Sequence, residues 1–266
     1  MARRRFVFSV VTHDSRAVLE PTLRSVVARL TPDDALIVID NGSTDGSAEL
    51  ARAVAPGALV IEQANAGFGA GNNAAFRALE SEFFVLVNPD VTLEQVDLAR
   101  VAGYFASHPE VVALVGDVRN PDGTRQLVNR RFPTLGVLLA RRLDLPLLRR
   151  IPALRRKLDR NELRDLDLDQ PQRVPFGTGS FEIVRTGAIT EPDLFDPRYF
   201  MYFEDVDLAR RLWTRGETHY LPWLVITHRW TRASYRSWRS TWRHARSALQ
   251  YFAKWGSFAP DGDDAT

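Results

Sequence analysis

Ala35-Leu36-Ile37-Val38-Ile39-Asp40-Asn41-Gly42-Ser43-Thr44-Asp45-Gly46 sets five apolar residues in a row before a turn crowded with carboxylate, amide and hydroxyl groups. A run this short and apolar on both pleat faces predicts a strand buried on both sides, and the pattern that follows, Ser47 to Val54, is helical. The same unit recurs on either side. Phe6 to Val11 leads into Thr12-His13-Asp14-Ser15 and then a helical pattern through Leu19, Leu23, Val26, Val27 and Leu30. Ala58 to Ile61 precedes Asn65-Ala66-Gly67-Phe68-Gly69-Ala70-Gly71-Asn72-Asn73, which opens another helix, and Phe83 to Val87 ends in Asn88-Pro89-Asp90. Alternating strands and helices of this kind predict an α/β fold built on a mainly parallel sheet covered by helices. Ligands of such sheets bind beyond the carboxyl ends of the strands, where all four polar turns fall.

Further along, Val96 to Phe105 reads as a helix, Val111 to Val115 as a fifth strand and Asn120-Pro121-Asp122-Gly123 as a turn or hairpin. Residues 135–170 change to leucine, arginine and proline, which predicts a basic helical insertion or a partly mobile flap. Phe181 to Val184 is a strand. The stretch Tyr199 to Trp213 then joins an aromatic run to Glu204, Asp205 and Asp207 and to the helical pattern of Val206, Leu208, Ala209, Leu212 and Trp213. Tyr220 to Thr227 is a strand ending at His228, Ser234 to about Trp255 is one helix, and residues 257–266 are expected to form a disordered tail. The main domain is thus expected to span residues 1–233, divided near 117, with an amphipathic helix over 234–256 appended to it.

The chain of 266 residues, with 45% hydrophobic content, is long enough for a substantial core. It has no cysteine, which excludes disulfides, thiolate metal sites and a cysteine nucleophile and points to a reducing compartment. The basic start Met1-Ala2-Arg3-Arg4-Arg5 is followed by only a strand-length apolar run, too short for a secretory signal, so a cytoplasmic protein is expected. No window approaches the roughly 20 apolar residues of a membrane-spanning helix. The 35 basic and 33 acidic residues nearly cancel, but seven basic residues against one acid lie between Arg141 and Lys157. Arg229, Arg232, Arg236, Arg239, Arg243 and Arg246 add to this in the second half.

The chemistry sits in the turns. Glu204 and Asp205 fall at a helix N-terminus, where free N–H groups and the helix dipole favour an ionised acid able to take a proton, although acids there also serve as plain caps. Asp40 can accept the imide N–H of a uracil or thymine ring, and Asn41, Ser43 and Asp45 can meet a ribose or build the turn unaided. Gly67, Gly69 and Gly71 allow close backbone approach to a phosphate or sugar, but they fit a dinucleotide fingerprint poorly because its third glycine falls on Asn72. Asp90 is placed to hold a divalent cation on a diphosphate and His228 to add a nitrogen ligand; a turn aspartate and a structural histidine are the plainer alternatives.

Taken in order, Thr12-His13-Asp14-Ser15, Asp40 to Asp45, Gly67 to Asn73, Asn88-Pro89-Asp90, Gly177-Thr178-Gly179-Ser180, Phe203-Glu204-Asp205-Val206-Asp207 with Arg211, and His228 resemble inverting, nucleotide-sugar-dependent glycosyltransferases of the family-two type with the GT-A fold. Among them the chain most resembles the bacterial rhamnosyltransferase branch, which uses dTDP-L-rhamnose and builds cell-wall linkers and surface polysaccharides. The resemblance implies a nucleotide-sugar half over 1–117 and an acceptor and catalytic half over 118–233. It places Thr12, His13, Asp40, Asn41, Ser43 and Asp45 at the nucleotide, with Gly67, Phe68, Gly69, Asn72 and Asn88 completing the donor site. Asp90 stands for the last acid of a metal-binding D-x-D, with His228 as a further ligand to Mg²⁺ or Mn²⁺. Asp205 is the implied general base, beside Glu204, and Arg211 orients the acidic cluster or its surroundings. Asn88 departs from the aspartate common at its position and removes one charge from the metal site.

The implied partners are a dTDP- or UDP-sugar and a polyprenyl-diphosphate-linked or glycan acceptor. At about 100° per residue, Arg236, Arg239, Arg243 and Arg246 form one arc of the C-terminal helix, and Trp238, Trp242, Ala245, Leu249 and Phe252 the next. Such stripes suit an anionic membrane surface, and a peripheral place on the inner face of the plasma membrane is the expectation, with packing on the protein's own body or on a second copy of the chain as the alternative. No nucleic-acid module accompanies them. Two other readings remain at this point: an NAD-dependent sugar-nucleotide oxidoreductase or epimerase, and an inactive membrane-surface binding protein on the same fold.

Overall fold

The computed structural model describes residues 3–134, 136–138, 151–164, 166–229, 238–257 and 260, with the backbone alone for 238–240. The amino-terminal part follows the strand and helix pattern: β1 (Arg4–Thr12), α1 (Arg16–Val27), β2 (Ala35–Asp40), α2 (Ser47–Val54), β3 (Leu59–Glu62), α3 (Phe68–Ala78) and β4 (Ser81–Val87). β3, β2, β1 and β4 lie side by side in parallel, with Val10 opposite Val38 and Phe8 opposite Val85. The central runs of β1, β2 and β4 are buried on both faces and apolar, as the sequence predicts, while β3 at the sheet edge is half-buried to exposed.

Beyond β4 the sheet becomes mixed. β5 (Val91–Gln95), α4 (Leu98–Ser107), β6 (Val111–Arg119), α5 (Pro152–Asn161), β7 (Gln172–Val174), β8 (Phe181–Arg185), a 3-10 turn (Thr186–Ala188), α6 (Glu204–Trp213), β9 (Glu217–His228) and α7 (Trp238–Trp255) follow. The sheet order is β3-β2-β1-β4-β8-β6-β9-β5, with β7 also on β9. β8 runs antiparallel between β4 and β6, joining the two expected halves into one continuous sheet. Two strands depart from the sequence reading. β5 pairs antiparallel with β9, although its Thr92, Glu94 and Gln95 hide it from an apolar pattern, and β7 is a three-residue strand. The following helix accordingly begins at Leu98 and not at Val96, because the Asp97 side chain accepts the Arg100 N–H at 3.0 Å and caps it.

One face of the sheet packs against α1 and α4 through Leu19, Leu23, Val26, Val101 and Phe105. The other packs against α3 and α6 through Ala75, Phe195, Leu208 and Leu212. Of the basic insertion, α5 is described and residues 139–150 lie outside the described residues. The chain after α5 is seated in the body: Leu163 is buried with Val115, Val174 and Tyr220. α7 packs through Tyr251 against Phe203, Val206 and Ala209. At Ser257, where a loose tail is expected to begin, the backbone oxygen accepts Arg210 Nη1 at 2.6 Å and the hydroxyl accepts Nη2 at 2.9 Å. No helix among the described residues is long and apolar enough to cross a membrane.

Candidate active site

Thr12 and Asp40 end β1 and β2 as register partners. Both are buried, at 0% and 2% exposure, and Thr12 Oγ1 and Asp40 Oδ2 have no hydrogen-bond partner. Asp40 Oδ1 accepts the Ser43 N–H, which fixes the carboxylate while its other oxygen has no donor within the protein. Buried polar atoms are nearly always paired, so two orphans side by side at a strand end fit a site that pairs with a ligand. The neighbouring turn is more self-contained. Asn41 donates to Gly67 O and accepts from Gln63, and Ser43 Oγ accepts the Asp14 N–H. Asp45 accepts from Arg16 and Ser47, and the Ser47 hydroxyl bond holds its carboxyl below the usual range. His13 is exposed, with Nε2 3.9 Å from Asp14 Oδ2.

The glycine stretch makes room for the protein's own chain. Gly67 has φ +101°, and a Cβ there would lie 2.0 Å from Phe200 O, while the Phe68 N–H donates to that oxygen at 3.2 Å. A Cβ on Gly69 would stand 3.0 Å from Phe195 Cβ and 3.8 Å from Glu204 Cβ. Asn72 accepts from Ser9 Oγ at 2.7 Å and donates to Phe68 O, so its amide is satisfied within the core. These contacts press the start of α3 against the loop leading into α6, so the expected donor-binding residues lie beside the acid helix.

That helix starts from strained backbone. Tyr202 and Phe203 are consecutive non-glycine residues with φ of 71° and 66°, a conformation that costs energy and collects at functional sites. It brings Asp205 against the Gly177–Ser180 turn, where its carboxylate accepts the N–H groups of Val206 and Gly179. Burial pushes the Asp205 carboxyl up, against the pull of those two bonds, which is the direction that favours a general base. Glu204 is buried, with Oε2 unpartnered, and burial pushes it up to about 8, with the Asp205 charge adding to the shift.

Glu182 on β8 joins these acids and is absent from the sequence reading. It is 2% exposed, has an unpartnered Oε1, and is pushed up to about 8 by burial and then by Asp205. Its signal was available, since it is the one charged residue within the apolar run Phe181 to Val184. Arg211 reaches the cluster at its third acid: it donates to Asp207 Oδ2 at 3.2 Å and to Leu194 O, and pairs with Glu191, so within the cluster it orients Asp207.

Asp90 and His228 are brought together. Val91 and His228 are register partners of β5 and β9, which sets His228 Nε2 3.3 Å from Asp90 Oδ1. His228 Nδ1 lies 3.2 Å from Gln126 Oε1, the outer bond that typically orients a ligating imidazole. Asn88 is tied through its backbone N–H to Ser180 O, placing the Asp90 loop next to the turn that contacts Asp205. No group of three His, Cys, Asp or Glu suited to a metal occurs among the described residues. One carboxylate and one imidazole nevertheless fit a cation whose other ligands are donor oxygens and water.

The mixed sheet with polar strand-end turns and an acid helix fits a glycosyltransferase, and residues 8–189 match the family described as Glycosyl transferase family 2. The chain belongs to that family and is a glycosyltransferase, which removes the dinucleotide-dependent alternative. Over 232 residues it is 28% identical to the N-acetylglucosaminyl-diphospho-decaprenol L-rhamnosyltransferase of Mycobacterium tuberculosis, covering 82% of this chain and 74% of that one. It is 25% identical over 201 residues to rhamnosyltransferase WbbL of Escherichia coli, covering 71% of this chain and 70% of that one. Among solved structures, the mannosyltransferase PcManGT of Pyrobaculum calidifontis, in complex with GDP-Man and Mn²⁺, shares the fold with a TM-score of 0.59 at 18% identity. That match covers 96% of this chain, which spans 64% of the PcManGT chain.

Proposed function

We propose that this chain transfers L-rhamnose from dTDP-L-rhamnose to a hydroxyl of a polyprenyl-diphosphate-linked or glycan acceptor at an anionic membrane surface, in bacterial surface-glycan synthesis. The observation that carries the reading is Asp205: a carboxylate of raised basicity at a helix N-terminus, beside the turn that adjoins Asp90. The activity named for the two bacterial relatives supports the sugar and the lipid-linked acceptor.

In this reading Thr12 Oγ1 and Asp40 Oδ2 receive the donor base, whose imide N–H meets the carboxylate. Asp205 removes the acceptor proton as the acceptor oxygen bonds to the anomeric carbon. The bond from that carbon to the diphosphate oxygen breaks, its electron pair leaves with the diphosphate, and the sugar inverts. Asp90 and His228 would hold a divalent cation such as Mg²⁺ or Mn²⁺, which would supply positive charge to the departing diphosphate, a reading supported by the Mn²⁺ in the PcManGT complex. Glu204 and Glu182, both raised to about 8 by burial, flank Asp205 as neutral acids near pH 7.

The membrane surface is supported by α7, where Trp242, Leu249 and Phe252 are 58%, 71% and 47% exposed, with Ala245 also exposed, beside the exposed Arg243 and Arg246. The stretch of this pattern at Trp238 and Arg239 falls on side chains outside those described. A panel of nucleotide sugars, read by thermal shift and by release of nucleoside diphosphate, tests the donor. Selective stabilisation and turnover by dTDP-L-rhamnose is expected, and preference for another sugar removes the rhamnosyl assignment.

A further inference from the structure

α7 does more than present an apolar stripe, because its opposite face grips the helix that carries the base. Asp207 is fully buried and gathers four side chains: Lys254 Nζ donates to Oδ1 at 2.8 Å and Oδ2 at 2.9 Å, Trp255 Nε1 to Oδ1 at 2.8 Å, Arg211 Nε to Oδ2 at 3.2 Å, and Tyr199 OH to Oδ1 at 3.3 Å. Lys254 also donates to Asp196 at 2.7 Å, in the loop before α6. Two of the four donors to Asp207 come from the last turn of α7. Arg210, one turn along α6, reaches Ser257 just past the end of α7.

A second set of contacts holds the strained entry to α6. The His244 ring lies 5.0 Å from that of Tyr202 and 5.3 Å from that of Phe203, and Ser247 Oγ donates to Met201 O at 2.9 Å. Arg243, beside the exposed stripe, stacks over Phe200 at 4.6 Å. Left-handed backbone at two bulky residues persists only where surrounding structure over-determines it. Here α7 supplies part of that structure, two residues before Asp205.

We propose that α7 is a positioning element for catalysis: His244 and Lys254 fix the strained entry and the rear of α6, so that seating the Trp242–Phe252 stripe on an anionic lipid surface steadies Asp205. This rests on the membrane-surface reading above, and it adds a route from that surface to the base. Asp205 and Asp207, two residues apart on a helix, point to different sides, the first into the site and the second into the clamp. A buried, charge-assisted clamp of this kind transmits position well, because its partners have few other places to bond.

Hydrogen exchange of the α6 amides, measured by mass spectrometry on the full chain, tests the clamp without any need for turnover. Wild type, Lys254→Met, Trp255→Phe, His244→Ala and Lys254→Arg are compared, alone and with vesicles of equal phosphatidylglycerol and phosphatidylcholine. In solution, exchange over residues 204–212 is expected to rise about five-fold or more in the first three variants and to return toward wild type in Lys254→Arg. Vesicles are expected to slow exchange in both α7 and α6 of wild type, but in α7 alone when the clamp is cut. In parallel, kcat should fall on the order of ten-fold with donor KM unchanged, since misplacing the base costs rate and not donor affinity. Trp255→Phe keeps an aromatic ring, though a smaller one, and loses the N–H while leaving the Lys254 ion pair in place, so it remains informative if Lys254→Met is poorly folded. Unchanged α6 exchange in the folded variants overturns the positioning role. Vesicles that protect neither helix of wild type overturn the lipid half, while the solution data still decide the clamp. Absence of any transfer by wild type counts against the proposed reaction, and the exchange result stands apart from it.

Discussion

Asp90 Oδ1 lies 3.3 Å from His228 Nε2 because the strands they border, β5 and β9, are register partners at Val91 and His228. The pair is therefore set by sheet pairing, with Gln126 fixing the far side of the imidazole. If it holds a divalent cation, activity in Mg²⁺ or Mn²⁺ should be lost in excess EDTA, and Asp90→Ala should abolish the metal response. His228→Ala should weaken metal binding on the order of ten-fold or more, as seen by calorimetry with nucleoside diphosphate present. Full activity in EDTA would rule out the metal.

Asp205→Asn should preserve shape and donor affinity and remove basicity. A loss of ~10²-fold or more in kcat is expected for a missing general base. Wild-type turnover by this variant would move the role to Glu204, whose Oε2 is unpartnered; Asp207 is fully engaged by its four donors.

Glu182 and Glu204, raised by burial from 4.5 to about 8, link stability to pH. Their folded forms keep protons that the unfolded chain has released, so their favourable contribution is complete below about 4.5 and is lost as pH rises through about 8. Melting temperature should fall between pH 5 and pH 9. Glu182→Gln, neutral at every pH, should flatten that slope and raise the midpoint at pH 9 by about 3 °C or more. A slope identical to wild type would mean that Glu182 is ionised in the fold.

Trp242, Leu249 and Phe252 changed together to Ser should leave the fold intact, since all three side chains are exposed, and should cut co-sedimentation with anionic vesicles. Arg243→Ser should weaken that binding most at low salt. Negligible binding by wild type to both anionic and neutral vesicles would dispose of the membrane surface.

Three of the four parallel strands, β1, β2 and β4, were legible in the sequence because burial on both faces gives them long apolar runs, as in Ile37-Val38-Ile39, and the short edge strand β3 was legible from its own apolar run Leu59-Val60-Ile61. The polar turns at their ends were legible for the same reason, being abrupt interruptions. β5 was not, since Thr92, Glu94 and Gln95 on a sheet edge carry no such run and its partner lies far along the chain. The glycines at 67 and 69 showed that something approaches closely, but only the fold shows that this is Phe200 and Phe195. Arg211 could be picked out by its motif, while its attachment to Asp207 depended on the helix face it occupies. Lys254 and Trp255 looked like the ordinary end of an amphipathic helix, and a long-range clamp leaves no local pattern.

The position of β8 bears on how the molecule is made. β4 has β1 on one side and β8 on the other, so until residue 185 has left the ribosome, the growing chain carries an open, apolar strand edge at β4. Truncation at the apparent midpoint near 117 would leave that edge permanently bare and β6 without its neighbours. Such a fragment is an aggregation template and not a separable lobe, and the protein must be expressed, dissected and engineered as one piece.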